Sequence, residues 1–110
     1  MIDREVVAFL EGSGVLRTQD GKRVGCQYTV TIFQEIQRDR MLDGGESAVE
    51  GLRIIEGAVM GLDHAEIFDL QEKSMTLELE DGQYWECILT NTDGDLASTG
   101  KGLYNPRRHM

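Results

Sequence analysis

The stretch Arg17-Thr18-Gln19-Asp20-Gly21-Lys22-Arg23-Val24-Gly25-Cys26-Gln27-Tyr28-Thr29-Val30-Thr31-Ile32 decides the fold. Beyond its Asp-Gly pair, Val24, Cys26, Tyr28, Val30 and Ile32 alternate with Gln27, Thr29 and Thr31. Period-two alternation puts successive side chains on opposite faces of a half-buried strand. Asp-Gly between two such runs is the strongest short-range signal of a two-residue hairpin turn, because both residues accept positive φ. The chain is expected to run as a strand from about Val6 to Thr18, turn at Asp20-Gly21, and return from Arg23 to about Gln34. Gly12-Ser13-Gly14 interrupts the outgoing strand and predicts a bulge or bend there.

The same pattern recurs along the chain. Among 110 residues, with 13 glycines and one proline, Asp-Gly also stands at 43–44, 81–82 and 93–94. A second hairpin is expected from Met75–Glu80 through Asp81-Gly82 into Gln83–Thr90, with Leu77 and Leu79 facing inward opposite Trp85, Cys87 and Leu89. Strands are also expected from about Gly51 to Met60 and from Leu96 to Tyr104. Asp63-His64-Ala65-Glu66 has the form of a capping box, with Ile67 and Leu70 one turn apart, and predicts one short helix within 63–72. Six to seven short strands without long helical patterns between them give an all-β class, a small single-domain antiparallel β-barrel, since closure leaves no exposed edges. The domain is expected over residues 1–104, with 105–110 as a disordered basic tail. Superposing the two hairpin turns aligns Leu16 with Leu77, Val24 with Trp85, Cys26 with Cys87 and Thr29 with Thr90. Either a faint internal repeat or the shared grammar of hairpins accounts for this.

Composition excludes several functions. The chain carries 20 acidic and 11 basic residues, a formal charge of −9. Lys101, Arg107 and Arg108 fall after the last acidic residue, so residues 1–100 hold 8 basic residues against 20 acidic, near −12. Nucleic acids and anionic membranes need a positive surface that releases counterions, so neither is expected as a partner. No apolar run approaches the roughly 20 residues of a spanning helix, and the first residues lack a secretory pattern, so a cytoplasmic location is expected. Cys26 and Cys87 are too few and too far apart for a disulfide framework or a zinc quartet.

Catalytic groupings are missing as well. His64 and His109 are the two histidines, and neither lies in a metal-ligand spacing or a triad pattern, so no metal, no cofactor and no catalytic residue is assigned. Asn91-Thr92-Asp93-Gly94-Asp95 places oxygens at alternate positions like a calcium loop but lacks the downstream bidentate Glu, and reads as turn chemistry. Glu56 breaks pattern, falling between Leu52, Ile54, Ala58 and Met60 on one face of its strand. A carboxylate facing the core there needs a partner such as Arg53 or Arg17, or a use; a bulge at Gly57 would instead turn it to solvent.

Two functions from different classes fit these features. The first is a non-catalytic binding or protein-interaction module, monomeric or homodimeric, whose functional surface is residues 37–48. That segment is aperiodic and polar, is expected to be a loop, and carries Arg38, Asp39, Arg40, Met41 and Asp43. The second is a small-ligand carrier or minor enzyme using the barrel interior, with Glu56 as polar anchor and Trp85, Tyr28 and Met60 as walls. With a body this acidic, micromolar protein at ~150 mM salt is expected to leave the mobility of DNA and RNA in a gel unchanged. Retardation would overturn it.

Overall fold

A computed structural model of the chain describes residues 2–40 and 46–106. The elements are β1 (Ile2–Thr18), β2 (Arg23–Arg40), β3 (Glu46–Met60), α1 (His64–Leu70), β4 (Ser74–Glu78), β5 (Tyr84–Leu89) and β6 (Asp95–Tyr104). The six strands close into an antiparallel barrel in the order β1-β2-β3-β6-β5-β4. The all-β barrel and the single short helix expected from sequence are what forms. The chain's radius of gyration, 16.9 Å, exceeds the about 13 Å of a compact domain this size, and the molecule extends 58 × 36 × 21 Å. The excess comes from β1, β2 and β3, which run on past the barrel as a three-stranded arm.

Both Asp-Gly hairpins turn, through three residues rather than the expected two. Gly21 N donates to Thr18 O and Thr18 N to Lys22 O; Gly82 N donates to Leu79 O and Leu79 N to Gln83 O. Gly21 and Gly82 have φ of 93° and 91°. This is the type I turn followed by a left-handed residue, in which glycine absorbs the extra position. Each aspartate stays short of the glycine and caps the turn, Asp81 Oδ1 accepting from Gln83 N at 3.0 Å.

The two hairpins stand side by side. β1 pairs with β4 through Leu16↔Leu77, Arg17↔Thr76 and Val15↔Glu78, a register that maps onto itself when residue n is exchanged for n + 61. The aligned pairs from the sequence therefore occupy equivalent places about a local two-fold axis between Leu16 and Leu77. Cys26 and Cys87, which it exchanges, are both buried, and Val24 and Trp85 are both inward. The symmetry breaks where one copy carries valine and the other tryptophan.

Trp85, with no exposed surface, fills the barrel among Leu16, Leu77, Leu89, Val30 and Cys87. Its Nε1 donates to Ser98 Oγ at 3.2 Å. A Cβ placed on Gly57 would lie 2.7 Å from Trp85 Cζ3, so glycine is what lets β3 pass the indole. Gly57, Ile55 and Val59 consequently line the inside of β3, whose register with β2 runs without a break from Gln34↔Arg53 to Gln27↔Met60. The facing read from sequence is thus reversed. No bulge forms at Gly57, and Leu52, Glu56 and Met60 are exposed. The apolar count misled because this strand carries apolar residues on both faces.

Two further expectations are corrected. The Gly12-Ser13-Gly14 segment keeps its register with Tyr28, Gln27 and Cys26, while the irregularity in β1 lies between Val6 and Ala8. The glycines make room instead: a Cβ on Gly14 would meet Glu78 O at 2.5 Å and the Tyr28 ring at 3.0 Å. Residues 37–48 are not a loop over their described part, because Gln37↔Val49, Arg38↔Ala48, Asp39↔Ser47 and Arg40↔Glu46 extend the β2–β3 ladder. Main-chain hydrogen bonds are indifferent to side-chain polarity, so a ribbon clear of the core needs no apolar period. Met41 and Asp43 lie outside the described residues. In the tail, Asn105 and Pro106 are placed and half-buried after β6, and 107–110 lie outside the described residues.

The helix closes one end of the barrel. Asp63 Oδ1 accepts from Glu66 N at 2.8 Å and Glu66 Oε1 from Asp63 N at 3.2 Å, the reciprocal cap expected there. Leu70 is fully buried, and Lys22 Nζ holds Asp69 at 2.6 Å across the end. That contact keeps the Asp69 carboxyl below its usual range.

Two expectations follow from this interior. Burial pushes the thiols of Cys26 and Cys87 up to about 11 and about 12, so labelling by a thiol reagent is slow in the native state and fast in denaturant. The unfolded chain ionises these groups first. Stability is therefore full below pH 9.0 and falls as pH rises towards about 11. Measured as the thermal midpoint against pH, the fall is shallower in the Cys26→Ala/Cys87→Ala variant; an identical slope would refute the account. Independently, Gly57→Ala costs about 1–3 kcal/mol, and Gly57→Ala with Trp85→Phe recovers part of it. Chemical denaturation of the three proteins checks this, and an unchanged single variant would remove the indole contact from the argument.

Candidate functional site

The barrel wall is least complete between β3 and β6. Among the described residues these strands pair from Glu56↔Ala97 to Ala58↔Asp95, whereas β2 and β3 pair along nearly their whole lengths. The cause lies in β6. Ser98 stays opposite Cys87 and Leu103 opposite Trp85, leaving residues 99–102 to bulge past Glu86. Gly102, at φ 106°, lies in that bulge. β6 is carried away from β3 at the point where β3 continues into the arm.

Between the diverging edges lies an open cleft of about 1070 Å³. Ile32, Ile55 and Leu103 supply apolar surface, and Arg53, Glu56, Gln83, Asp95 and Ser98 supply polar groups. Gly57 also lines it, with the Trp85 ring directly behind the glycine backbone. Ser98 Oγ, the acceptor of the indole N–H, is at the cleft too, so the single tryptophan reports on this wall.

The cleft opens sideways through the wall, and the centre of the barrel is occupied by side chains. Of the residues named as interior walls, Trp85 and Tyr28 are inside, 0% and 3% exposed. The Tyr28 hydroxyl accepts from Glu80 N at 3.0 Å, which consigns the ring to bracing the β4–β5 turn. Met60 is about half exposed on the outer face. Glu56 is also outside, and pairs with Arg4 at 3.4 Å, a partner two strands away that sequence proximity did not suggest. Arg53 instead donates from Nε to Gln34 Oε1 at 3.4 Å. Arg38, Asp39 and Arg40 sit at the far end of the arm, remote along β2 from the cleft. The structure brings Glu56 and Arg53 together at the cleft, and leaves the arm-tip residues apart.

Reactive chemistry is sparse. Among the described residues no three His, Cys, Asp or Glu side chains cluster as metal ligands. His64 is the exposed first residue of α1. Asn91 Oδ1 accepts from Asp93 N at 2.9 Å and Asp95 N at 3.2 Å, so the calcium-like stretch is satisfied as a turn by its own backbone. No helix among the described residues is long and apolar enough to cross a membrane.

The sequence signals that could have found the cleft were Thr99-Gly100-Lys101-Gly102 and the edge of β3 facing it. Two glycines late in a strand mark a bulge, and a bulge in a barrel wall leaves its neighbour's edge open. Comparison with known protein families, with curated proteins and with solved structures finds no match for this chain.

Proposed function

We propose that the protein is a non-catalytic interaction module that receives an extended segment of a partner protein in the cleft between β3 and β6. The observation that carries this reading is the pair of unpaired strand edges framing the cleft, at Arg53–Ile55 and along the β6 bulge. Unpaired main-chain groups are a template for an added strand, and alternate side chains of that strand can use the apolar floor of Ile32, Ile55 and Leu103. The filled interior favours this reading over a carrier that holds a small molecule at the barrel centre, because every wall residue there is already in contact with another. The mixed rim, Arg53 against Glu56 and Asp95, suits a peptide with both polar and apolar positions.

Peptides selected from a random display library against the protein provide the test. The expected binders alternate apolar and polar residues, shift the amide resonances of 53–55 and 98–103, and change the fluorescence of Trp85. Shifts confined to 38–40 and 46–48 would move the site to the arm tip. Binding of a small apolar probe with shifts centred on Cys87 and Leu77 would overturn the reading in favour of a carrier.

A further inference from the structure

β1 pairs with β4 only from Val15 to Thr18, so its edge from Ile2 to Glu11 has no neighbouring strand among the described residues. Proteins blunt such edges with lysine, proline or an inward charge, since a long free edge invites pairing with another chain. Here the segment is Ile2-Asp3-Arg4-Glu5-Val6-Val7-Ala8-Phe9-Leu10-Glu11, without lysine or proline; its inward carboxylates Asp3 and Glu5 have partners of their own, and Val6, Val7 and Phe9 are 60%, 48% and 55% exposed. This edge lies on the far side of β2 from the β3–β6 cleft, so what it binds is independent of what the cleft binds.

We infer that the free edge of β1 is the interface of a symmetric homodimer, two copies pairing antiparallel with Arg4 opposite the partner subunit's Glu11 and Val6 opposite the partner subunit's Phe9. The register follows from the irregularity between Val6 and Ala8. The extra residue switches the alternation, so Arg4 and Val6 share the outer face with Phe9 and Glu11, while Glu5 shares the inner face with Ala8 and Leu10. In an antiparallel pair, opposed residues share a face. Registers that straddle the irregularity therefore need residue numbers summing to an odd value. A sum of 13 sets Arg4 against Phe9 and Ile2 against Glu11, matching no charges. A sum of 17 sets Val6 against Glu11 and brings Ala8 opposite Phe9, from the other face. A sum of 15 opposes Arg4 with Glu11, Val6 with Phe9, and no like charges. The pattern is complementary to itself, and two-fold symmetry makes each pair twice. Arg4 is held over the Phe33 ring at 5.4 Å and beside Glu56 at 3.4 Å, which steadies it on the outer face.

Sedimentation equilibrium of the full chain is expected to give a dimer mass. Glu11→Arg, at an exposed position, places two arginines opposite each other twice and weakens the dimer about tenfold, with an unchanged thermal midpoint of the monomer. Arg4→Glu/Glu11→Arg restores association. Under oxidation Val6→Cys/Phe9→Cys gives a covalent dimer, while Val6→Cys and Phe9→Cys alone do not, because neither residue faces its own copy. A wild-type chain that stays monomeric at about 100 µM, well above the concentration at which a micromolar dimer forms, would overturn the inference. So would association indifferent to Glu11→Arg, or cross-linking by either single cysteine variant.

Discussion

The architecture depends on one contact, the Trp85 indole against the backbone of Gly57. The indole lies against the β3 backbone more closely than a Cβ would allow, and glycine is the residue that permits this approach without losing the ladder. With a side chain at Gly57, the indole would have to leave the interior or β3 would have to move outward. Because it stays, β3 is fixed with Ile55, Gly57 and Val59 inside, and the residues from Arg53 to Met60 follow by alternation, up to the register shift beyond Arg53. Glu56 faces solvent for this reason and not through any property of its own. The same constraint aims the indole N–H at Ser98, which anchors β6 just before it bulges away. One packing requirement thus sets the filled interior, the facing of β3 and the position where the wall opens.

The local two-fold axis sets where the two halves of the barrel differ. Around Leu16 and Leu77 the two hairpins are near equivalents, with matching turns, matching buried cysteines and matching strand pairing. This half of the barrel is also tied on its outside. Arg17 and Arg23 both reach Glu78, at 3.3 and 3.2 Å, Tyr84 and Tyr104 meet edge to face at 5.9 Å, and Thr76 donates to Glu86 at 2.8 Å. Exposed ion pairs of this kind contribute little singly, but these contacts all fall on the one wall. The difference between Val24 and Trp85 has to be absorbed opposite, where β3 and β6 share a short pairing.

How legible this was depends on how the backbone responds to side chains. Where one face of a strand is wholly apolar, as in β2 from Val24 to Ile32, alternation identifies both the strand and its inside. Asp-Gly identifies the turns, although the third loop residue was hidden because type I turns accept most residues. The capping box identified α1, since its reciprocal hydrogen bonds use residues fixed in sequence spacing. In β3 the rule fails. Leu52, Ile54, Ala58 and Met60 outnumber Ile55 and Val59, and nothing in a period-two pattern says that a glycine marks the inside. The Trp85 contact that decides it joins residues 28 positions apart, and alternation carries no information at that range.

The arm shows the converse limit. Arg38, Asp39 and Arg40 read as loop because sequence patterns report burial, and ladders form without it. Such a ribbon is held by main-chain pairing and by neighbours such as Gln34, whose amide donates to Gly51 O at 3.1 Å where the β2–β3 register shifts. Two-stranded ribbons are marginal in water, and a third strand with an apolar face makes them stable. β1 supplies that strand as far as Gln37, with Val6, Phe33 and Ile54 aligned across the sheet. Closing the barrel removes edges from the half built on Leu16 and Leu77, and extending three strands beyond it creates them again on β1 and β3. The free edge of β1 thus arises where the strands have run past the closed barrel, whereas the candidate cleft opens where arm and core meet, at Ile55, Gly57 and Ser98.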